Sequence, residues 1–218
     1  MKKKKHILIC IDKDGTIDYD DHFHLGHQRN WKSKLHLLDN VAKGIKWLNK
    51  IPGVKIYIIT NQPGVAVKNY PLMTYERAEE VCEYVIDRLG GYEAHIHGYE
   101  ICGKASLKYV KEKKEQKSGF IFDSKNVGDF SCIKPEIGLV KRALKKEGWV
   151  LENTNIYVIG DRKSDVECGL NAKGYGILVP FGNRMEESGK VKNLKSRKKY
   201  IAKDFLDACR FIIKHEDN

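Results

Sequence analysis

The sequence predicts an α/β protein built on a doubly wound, Rossmann-like parallel sheet with helices on both faces. Two observations predict it. Strand-sized apolar runs recur with little polar alternation, which marks strands covered on both sides. Segments of helical spacing separate them, as the crossovers of a parallel sheet require. No internal repeat and no Pro- or Ser-rich linker interrupts the pattern, so residues 1–218 read as a single domain.

The elements follow in order. His6 to Ile11 is the first nearly continuous apolar run. Val41 to Ile51 has helical spacing through Val41, Ile45 and Leu48, with Asp39 or Asn40 as its N-cap. Val54 to Ile59 is a second buried strand. Thr74 can cap a helix through Leu89 that stops at Gly90-Gly91. Ala94 to Cys102 is a third strand, Pro135 to Glu147 a helix, and Ile156 to Ile159 a fourth strand. Asp165 to Ala172 is helical and Gly176 to Val179 is a fifth strand. A short strand from Lys199 to Ala202 and a helix from Phe205 to Ile213, capped by Asp204, close the chain. The irregular stretches are 18–34, 103–133 and 181–198.

Composition narrows the class. A hydrophobic share of 41% beside 32% charged residues is that of an ordinary globular protein, and no apolar run is long enough to span a bilayer. Lys2 to Lys5 resemble the start of a signal peptide, but no long apolar segment follows, so a cytoplasmic location is expected. Six scattered cysteines without a CxxC pair read as free thiols. The net charge of +11 concentrates in 104–117 and 184–199. Neither stretch interleaves aromatics as a base-stacking platform does, so a solvated basic surface is the first reading and nucleic-acid binding the second.

The chemistry lies at predicted strand ends. The first strand runs into Asp12-Lys13-Asp14-Gly15-Thr16. Carboxylates at i and i+2 on an extended chain point the same way, and paired anions with hard oxygen donors suit Mg²⁺. The segment also resembles part of a calcium loop, but lacks that loop's further acidic ligands. The second strand ends in Thr60-Asn61-Gln62-Pro63-Gly64, where a hydroxyl and turn amides can clamp phosphate oxygens. Lys134 precedes Pro135 and is extended, free to reach inward from the start of a helix. The fourth strand ends in Gly160-Asp161-Arg162-Lys163-Ser164-Asp165, where Asp161 and Asp165 can face the same crevice, although Ser164 or Asp165 could instead serve as an N-cap.

These four pieces, in this order, resemble the motifs of the haloacid dehalogenase (HAD) superfamily of phosphotransferases: Asp12-x-Asp14-Gly-Thr, Thr60, Lys134 and Gly-Asp161-x-x-x-Asp165. The resemblance spans nearly the whole chain. Thr60 to Ala66, Lys134-Pro135 and Gly160 to Gly174 are similar to the subgroup of heptose bisphosphate and histidinol-phosphate phosphatases. Polynucleotide 3′-phosphatases share the Thr-Asn-Gln turn and the Lys-Pro pair.

The resemblance implies a Mg²⁺-dependent phosphate-monoester hydrolase. Asp12 is the nucleophile that forms an aspartyl-phosphate, and Asp14 the general acid and base. Thr60 and Lys134 hold phosphoryl oxygens. Asn61, Gln62 and Arg162 contact substrate. The metal is held by Asp12, the Asp14 backbone carbonyl and Asp161, while Thr16 and Asp165 support the site, Asp165 by orienting Lys134 or a water on the metal. There is no room for a large cap. A flap at about 18–34 and a specificity loop at about 103–133 choose the substrate, expected to be a small sugar phosphate or similar metabolite.

Some family features are missing. The structural zinc of the heptose enzymes needs Cys-x-His and Cys-x-Cys. Here those places read Cys102-Gly103-Lys104 and Phe130-Ser131-Cys132, so zinc is not expected. Ile133 stands where those enzymes carry an arginine, which puts the heptose bisphosphate itself in question. His22, His24 and His27 in the flap read as solvent-facing loop residues rather than ligands. The alternatives to a small-metabolite phosphatase are a polynucleotide 3′-phosphatase and a non-catalytic phosphate-binding module. The sequence does not determine an oligomeric state.

Overall fold

A computed structural model describes residues 6–19, 24–182 and 185–217. Its centre is a six-stranded, all-parallel sheet in the order β3-β2-β1-β4-β5-β6. The strands are β1 (His6–Ile11), β2 (Val54–Asn61), β3 (Gly98–Cys102), β4 (Thr154–Gly160), β5 (Tyr175–Leu178) and β6 (Lys199–Ile201). Seven helices occur among the described residues: α1 (Val41–Leu48), α2 (Tyr75–Gly90), α3 (Leu107–Glu115), α4 (Gly138–Lys146), α5 (Lys163–Asn171), α6 (Met185–Lys192) and α7 (Phe205–Glu216).

The period of two in a strand divides the core. Ile7, Ile9 and Ile11 of β1, with Ile56 and Ile58 of β2, pack under α1, α2 and α7. Leu8 and Cys10, with Tyr57 and Ile59, face the opposite way and pack under α4 and α5. Both faces being covered explains why these strands read as unbroken apolar runs. The chain leaves β1 for β2 on one side and later returns to β4 on its other side, so the strand order reverses between β1 and β4. In open α/β sheets the crevice beyond the carboxyl ends at such a point is where ligands bind.

Two expected caps form: Thr74 Oγ1 accepts from Arg77 N at 3.1 Å, and Asp204 Oδ1 from Asp207 N at 2.7 Å. Several boundaries differ from expectation. Asn40 adopts a left-handed backbone, φ 63°, and α1 starts without a side-chain cap. The third strand begins at Gly98 rather than Ala94, because the His95 backbone N–H and C=O are taken by the Asn49 side chain, each at 2.9 Å. The helix expected from Pro135 starts at Gly138, whose N–H is held by Ser131 O at 2.8 Å, so residues 133–137 form turns and Lys134 lies before the helix rather than in its first turn. The stretch 103–133 contains α3, capped by Ser106, and 181–198 contains α6.

The cysteine expectation is corrected at two positions. Cys102 ends β3 and Cys132 lies two residues before Lys134, and the fold brings their Cα atoms to 5.4 Å, within disulfide reach, so the two sulfurs are bonded to each other. Cys10, Cys82, Cys168 and Cys209 are free and buried. Among the described residues no helix is long and apolar enough to cross a membrane.

Candidate active site

Asp12 follows the last residue of β1, and its backbone N–H is tied to Ile159 O of β4 at 2.8 Å. Asp161 follows β4, so the two aspartates emerge side by side from adjacent strands at the reversal point. The turn after Asp14 depends on Gly15, whose φ of 86° is a conformation that favours glycine. Asp12, Asp161 and Asp165 are all buried and offer carboxylate oxygens within 4.8 Å of one another. Three clustered hard-oxygen donors fit a cation such as Mg²⁺.

Lys134 enters this cluster from the loop before α4. Its Nζ donates to Asp12 Oδ1 at 2.5 Å and to Ile59 O at 3.1 Å, and pairs with Asp165 Oδ1 at 2.6 Å. The loop is anchored where Asn61 Oδ1 accepts from Lys134 N at 3.1 Å. Burial opposes the Lys134 charge, but the two carboxylates outweigh it and hold the ammonium above its usual range. Asp12 is governed by burial, which raises its carboxyl to about 7 against the pull of Lys134, with Asp165 and Asp14 adding to the rise.

Asp165 sits in the first turn of α5, where Oδ2 accepts from Arg162 N at 3.0 Å. It therefore serves the helix start and Lys134 at once. Gly160 makes this approach possible: a Cβ there would lie 2.2 Å from Asp165 Cγ. Arg162 is exposed at the rim, its Nε 3.9 Å from Asp161 Oδ1.

Asp14 is held differently. Gln62 Nε2 donates to its Oδ2 at 2.6 Å and to Thr60 Oγ1 at 2.9 Å, and Thr60 Oγ1 donates to the same carboxylate at 3.3 Å. Its Oδ1 accepts from Lys13. Burial would raise the Asp14 carboxyl, but the Lys13 ammonium and the hydrogen bonds from Lys13 and Gln62 hold it below the usual range. The Thr16 hydroxyl is buried and makes no hydrogen bond.

Sequence reasoning passed over Lys13 and Asp18. Lys13, 1% exposed, bridges Asp14 and Asp18, the latter at 3.0 Å. Asp18 is fully buried, and burial raises its carboxyl to about 8 despite Lys13. The available signal was an acid five residues after a lysine that the strand pattern places inside. The flap histidines also differ from expectation. His24 and His27 are partly buried among rings: His27 stacks on Tyr70 at 4.6 Å, and His24 meets Tyr70, Tyr109 and Phe120 at 5.8–6.4 Å. Tyr70, Tyr109 and Phe120 pack against the flap and shield these rings in part from solvent. His22 lies outside the described residues.

The result is a cleft of about 220 Å³ lined by Asp12, Asp14, Asn61, Gln62, Lys134, Arg162 and Asp165, to which His24, Tyr109 and Lys113 are added from the flap and α3. The structure thus gathers the carboxylates, lysine and amides named from sequence into one place. Thr60 is fully buried just behind them.

Comparison with known proteins agrees with this geometry. The family model described as HAD-hydrolase-like matches residues 131–208. A D-glycero-D-manno-heptose-1,7-bisphosphate 7-phosphatase of Chlorobaculum tepidum is 26% identical over 182 residues, covering 82% of this chain and 81% of that protein. The histidine biosynthesis bifunctional protein HisB of Buchnera aphidicola is 28% identical over 184 residues, 83% of this chain and 42% of that protein. The crystal structure of D,D-heptose 1,7-bisphosphate phosphatase from B. bronchiseptica, complexed with magnesium and phosphate, superposes with a TM-score of 0.70 at 16% identity, covering 95% of this chain and 98% of that one. The chain is thus similar to HAD-like hydrolases over residues 131–208 and to heptose bisphosphate phosphatases over most of its length, and it shares the fold of one of them.

Proposed function

We propose that the chain is a Mg²⁺-dependent phosphate-monoester hydrolase, acting as one domain on a compact phosphorylated sugar of the kind named in its heptose bisphosphate relatives. The observation that carries this reading is the buried Asp12, held by Lys134 beside Asp161 and Asp165 at the point where the strand order reverses.

Asp12 attacks phosphorus in line with the departing oxygen, and the ester P–O bond breaks as the bond to the Asp12 carboxylate forms. Asp14 gives its proton to the leaving alkoxide. In the second half Asp14 takes a proton from water, which attacks phosphorus and breaks the Asp12–phosphate bond, releasing inorganic phosphate. The low proton affinity of Asp14 suits the base half, so the acid half uses its minor protonated form. Gln62 and Lys13 fix the Asp14 carboxylate, while Lys134 meets the phosphoryl oxygens with positive charge and Thr60 with its hydroxyl. Asp12, the Asp14 carbonyl and Asp161 would hold Mg²⁺, which supplies further positive charge against the transferring group. Asn61 acts by anchoring the Lys134 loop, and Arg162 offers a cation at the rim.

Hydrolysis of p-nitrophenyl phosphate with Mg²⁺ and with a chelator tests the reading. Turnover should need the metal, and Asp12→Asn should lower kcat by about a thousandfold or more. Retention of turnover by Asp12→Asn would overturn the assignment.

A further inference from the structure

The phosphoryl chemistry uses neither sulfur of the Cys102–Cys132 bond, yet both ends of that bond lie beside groups it does use. Cys102 is the last residue of β3 and pairs in the sheet with Asn61. Its carbonyl accepts from Gln62 N at 2.8 Å, and the Gln62 side chain holds Asp14. Cys132 lies two residues before Lys134, which holds Asp12. The cystine therefore joins the backbone that directs Gln62 at Asp14 to the backbone that directs Lys134 at Asp12. Toward α4 and α5 the Lys134 loop is fixed by Ser131 O, which accepts from Gly138 N at 2.8 Å, and by Pro135 O, which accepts from Asn171 Nδ2 at 3.0 Å. Toward β2 and β3 its backbone is held by the cystine and by Lys134 N, which donates to Asn61 Oδ1 at 3.1 Å. A cross-link across 30 residues restricts the chain more than one hydrogen bond does. The same bond closes the base of the segment 103–131, whose helix α3 has no buried residue and brings Tyr109 to the cleft.

We propose that the Cys102–Cys132 bond is a redox-modifiable site that controls turnover. Closed, it keeps Lys134 and Gln62 aligned across the cleft; opened by a dithiol, it releases the Lys134 loop and the enzyme slows. This rests on the phosphatase reading above. Cys132 is 7% exposed and follows the exposed Ser131, so attack comes from that side. One thiolate of the dithiol bonds to Cys132 Sγ, the Sγ–Sγ bond breaks, and Cys102 leaves as a thiolate. The second sulfur of the dithiol then attacks the first and displaces Cys132. The dithiol ends as a disulfide, and its two electrons and two protons end on the two cysteines.

The test follows p-nitrophenyl phosphate turnover with Mg²⁺ by the full chain, oxidised and then treated with reduced dithiothreitol that is removed before assay. Thiols titrated in denaturant should rise from four to six, because Cys10, Cys82, Cys168 and Cys209 are free throughout. kcat/KM should fall by roughly tenfold or more, as small displacements of positioned groups produce, and reoxidation should restore it. Amide hydrogen exchange should quicken across 103–135 and stay unchanged in β1 and β4, which a general loss of stability would not do. Cys102→Ser with Cys132→Ser should match the reduced wild type and not respond to the dithiol. If that variant does not fold, the reversible reduction of the wild type decides alone. The proposal is overturned if the wild type keeps its kcat/KM with six thiols free. It is also overturned if the dithiol does not open the bond in the folded protein, or if oxidation does not bring the chain to four thiols. Absence of Mg²⁺-dependent turnover by the oxidised protein would instead overturn the phosphatase reading, and this one with it.

Discussion

Lys134 and Asp165, 31 residues apart in the chain, meet at 2.6 Å with both side chains almost fully buried, and the same ammonium holds Asp12. The lysine is thus a structural keystone of the cleft floor as well as a candidate phosphate ligand.

Removing it leaves buried carboxylates without their counter-charge. Lys134→Met should destabilise the fold by about 3–5 kcal/mol at pH 7. Lys134 now pulls the Asp12 carboxyl down against burial, so its loss moves that carboxyl further up. The folded variant then binds protons more readily than the unfolded chain, and its stability deficit should narrow as pH falls from 7 to 5. Urea unfolding at the two pH values measures this; a deficit that widens contradicts it.

Gly160→Ala tests the close approach of β4 to α5. Its Cβ would fall 2.2 Å from Asp165 Cγ, so the helix start or the carboxylate must move. A cost of about 1–3 kcal/mol is expected, with turnover of p-nitrophenyl phosphate falling more than stability alone explains, because Asp165 holds Lys134. Wild-type kinetics in the variant would show that the contact relaxes without disturbing the floor.

Lys13→Met should be costly for the same reason as Lys134→Met, since it strands Asp14 and Asp18. Lys13→Met with Asp18→Leu replaces one buried pair by apolar groups and should regain much of the loss. Turnover should stay low in both, because Asp14 loses the cation that keeps it ionised. Chemical denaturation of the single and double variants, with kinetics, separates the two effects.

His24 gives the fold a pH-dependence of opposite sense. Burial is the main cause that lowers its imidazole to about 4, with Lys113 and His27 adding to the fall against Asp14. Between that value and about 6.5 the unfolded chain binds more protons, so this contribution to stability is complete at neutral pH and shrinks as pH falls through the window. The melting temperature of His24→Gln should therefore fall less than that of the wild type between pH 7 and pH 5. Parallel curves would argue against the buried neutral ring.

Much of the site was legible because strand ends write it locally. Asp12 and Asp14 share a direction through the period of two, and Asp161 follows the adjacent strand. Gly15 marks the turn and Thr74 and Asp204 the caps. Buried parallel strands announce themselves through apolar continuity, which is a property of the chain itself.

Other features depend on partners distant in sequence. Lys13 looked like any lysine of a basic chain until Asp14 and Asp18 closed around it. Asn49, 46 residues before His95, shortened the third strand. Cys102 and Cys132 became a pair only when the loop before Lys134 folded against the end of β3. Lys113 reached the cleft because Tyr109 meets His24 and so brings α3 against the flap. The sequence by itself determined the α/β class, the strand ends and the residues clustered there, since periodicity and turn chemistry act over a few residues. Only the tertiary structure decided which charges neutralise one another and which loop residues line the cleft, because those contacts are set by the packing of segments tens of residues apart.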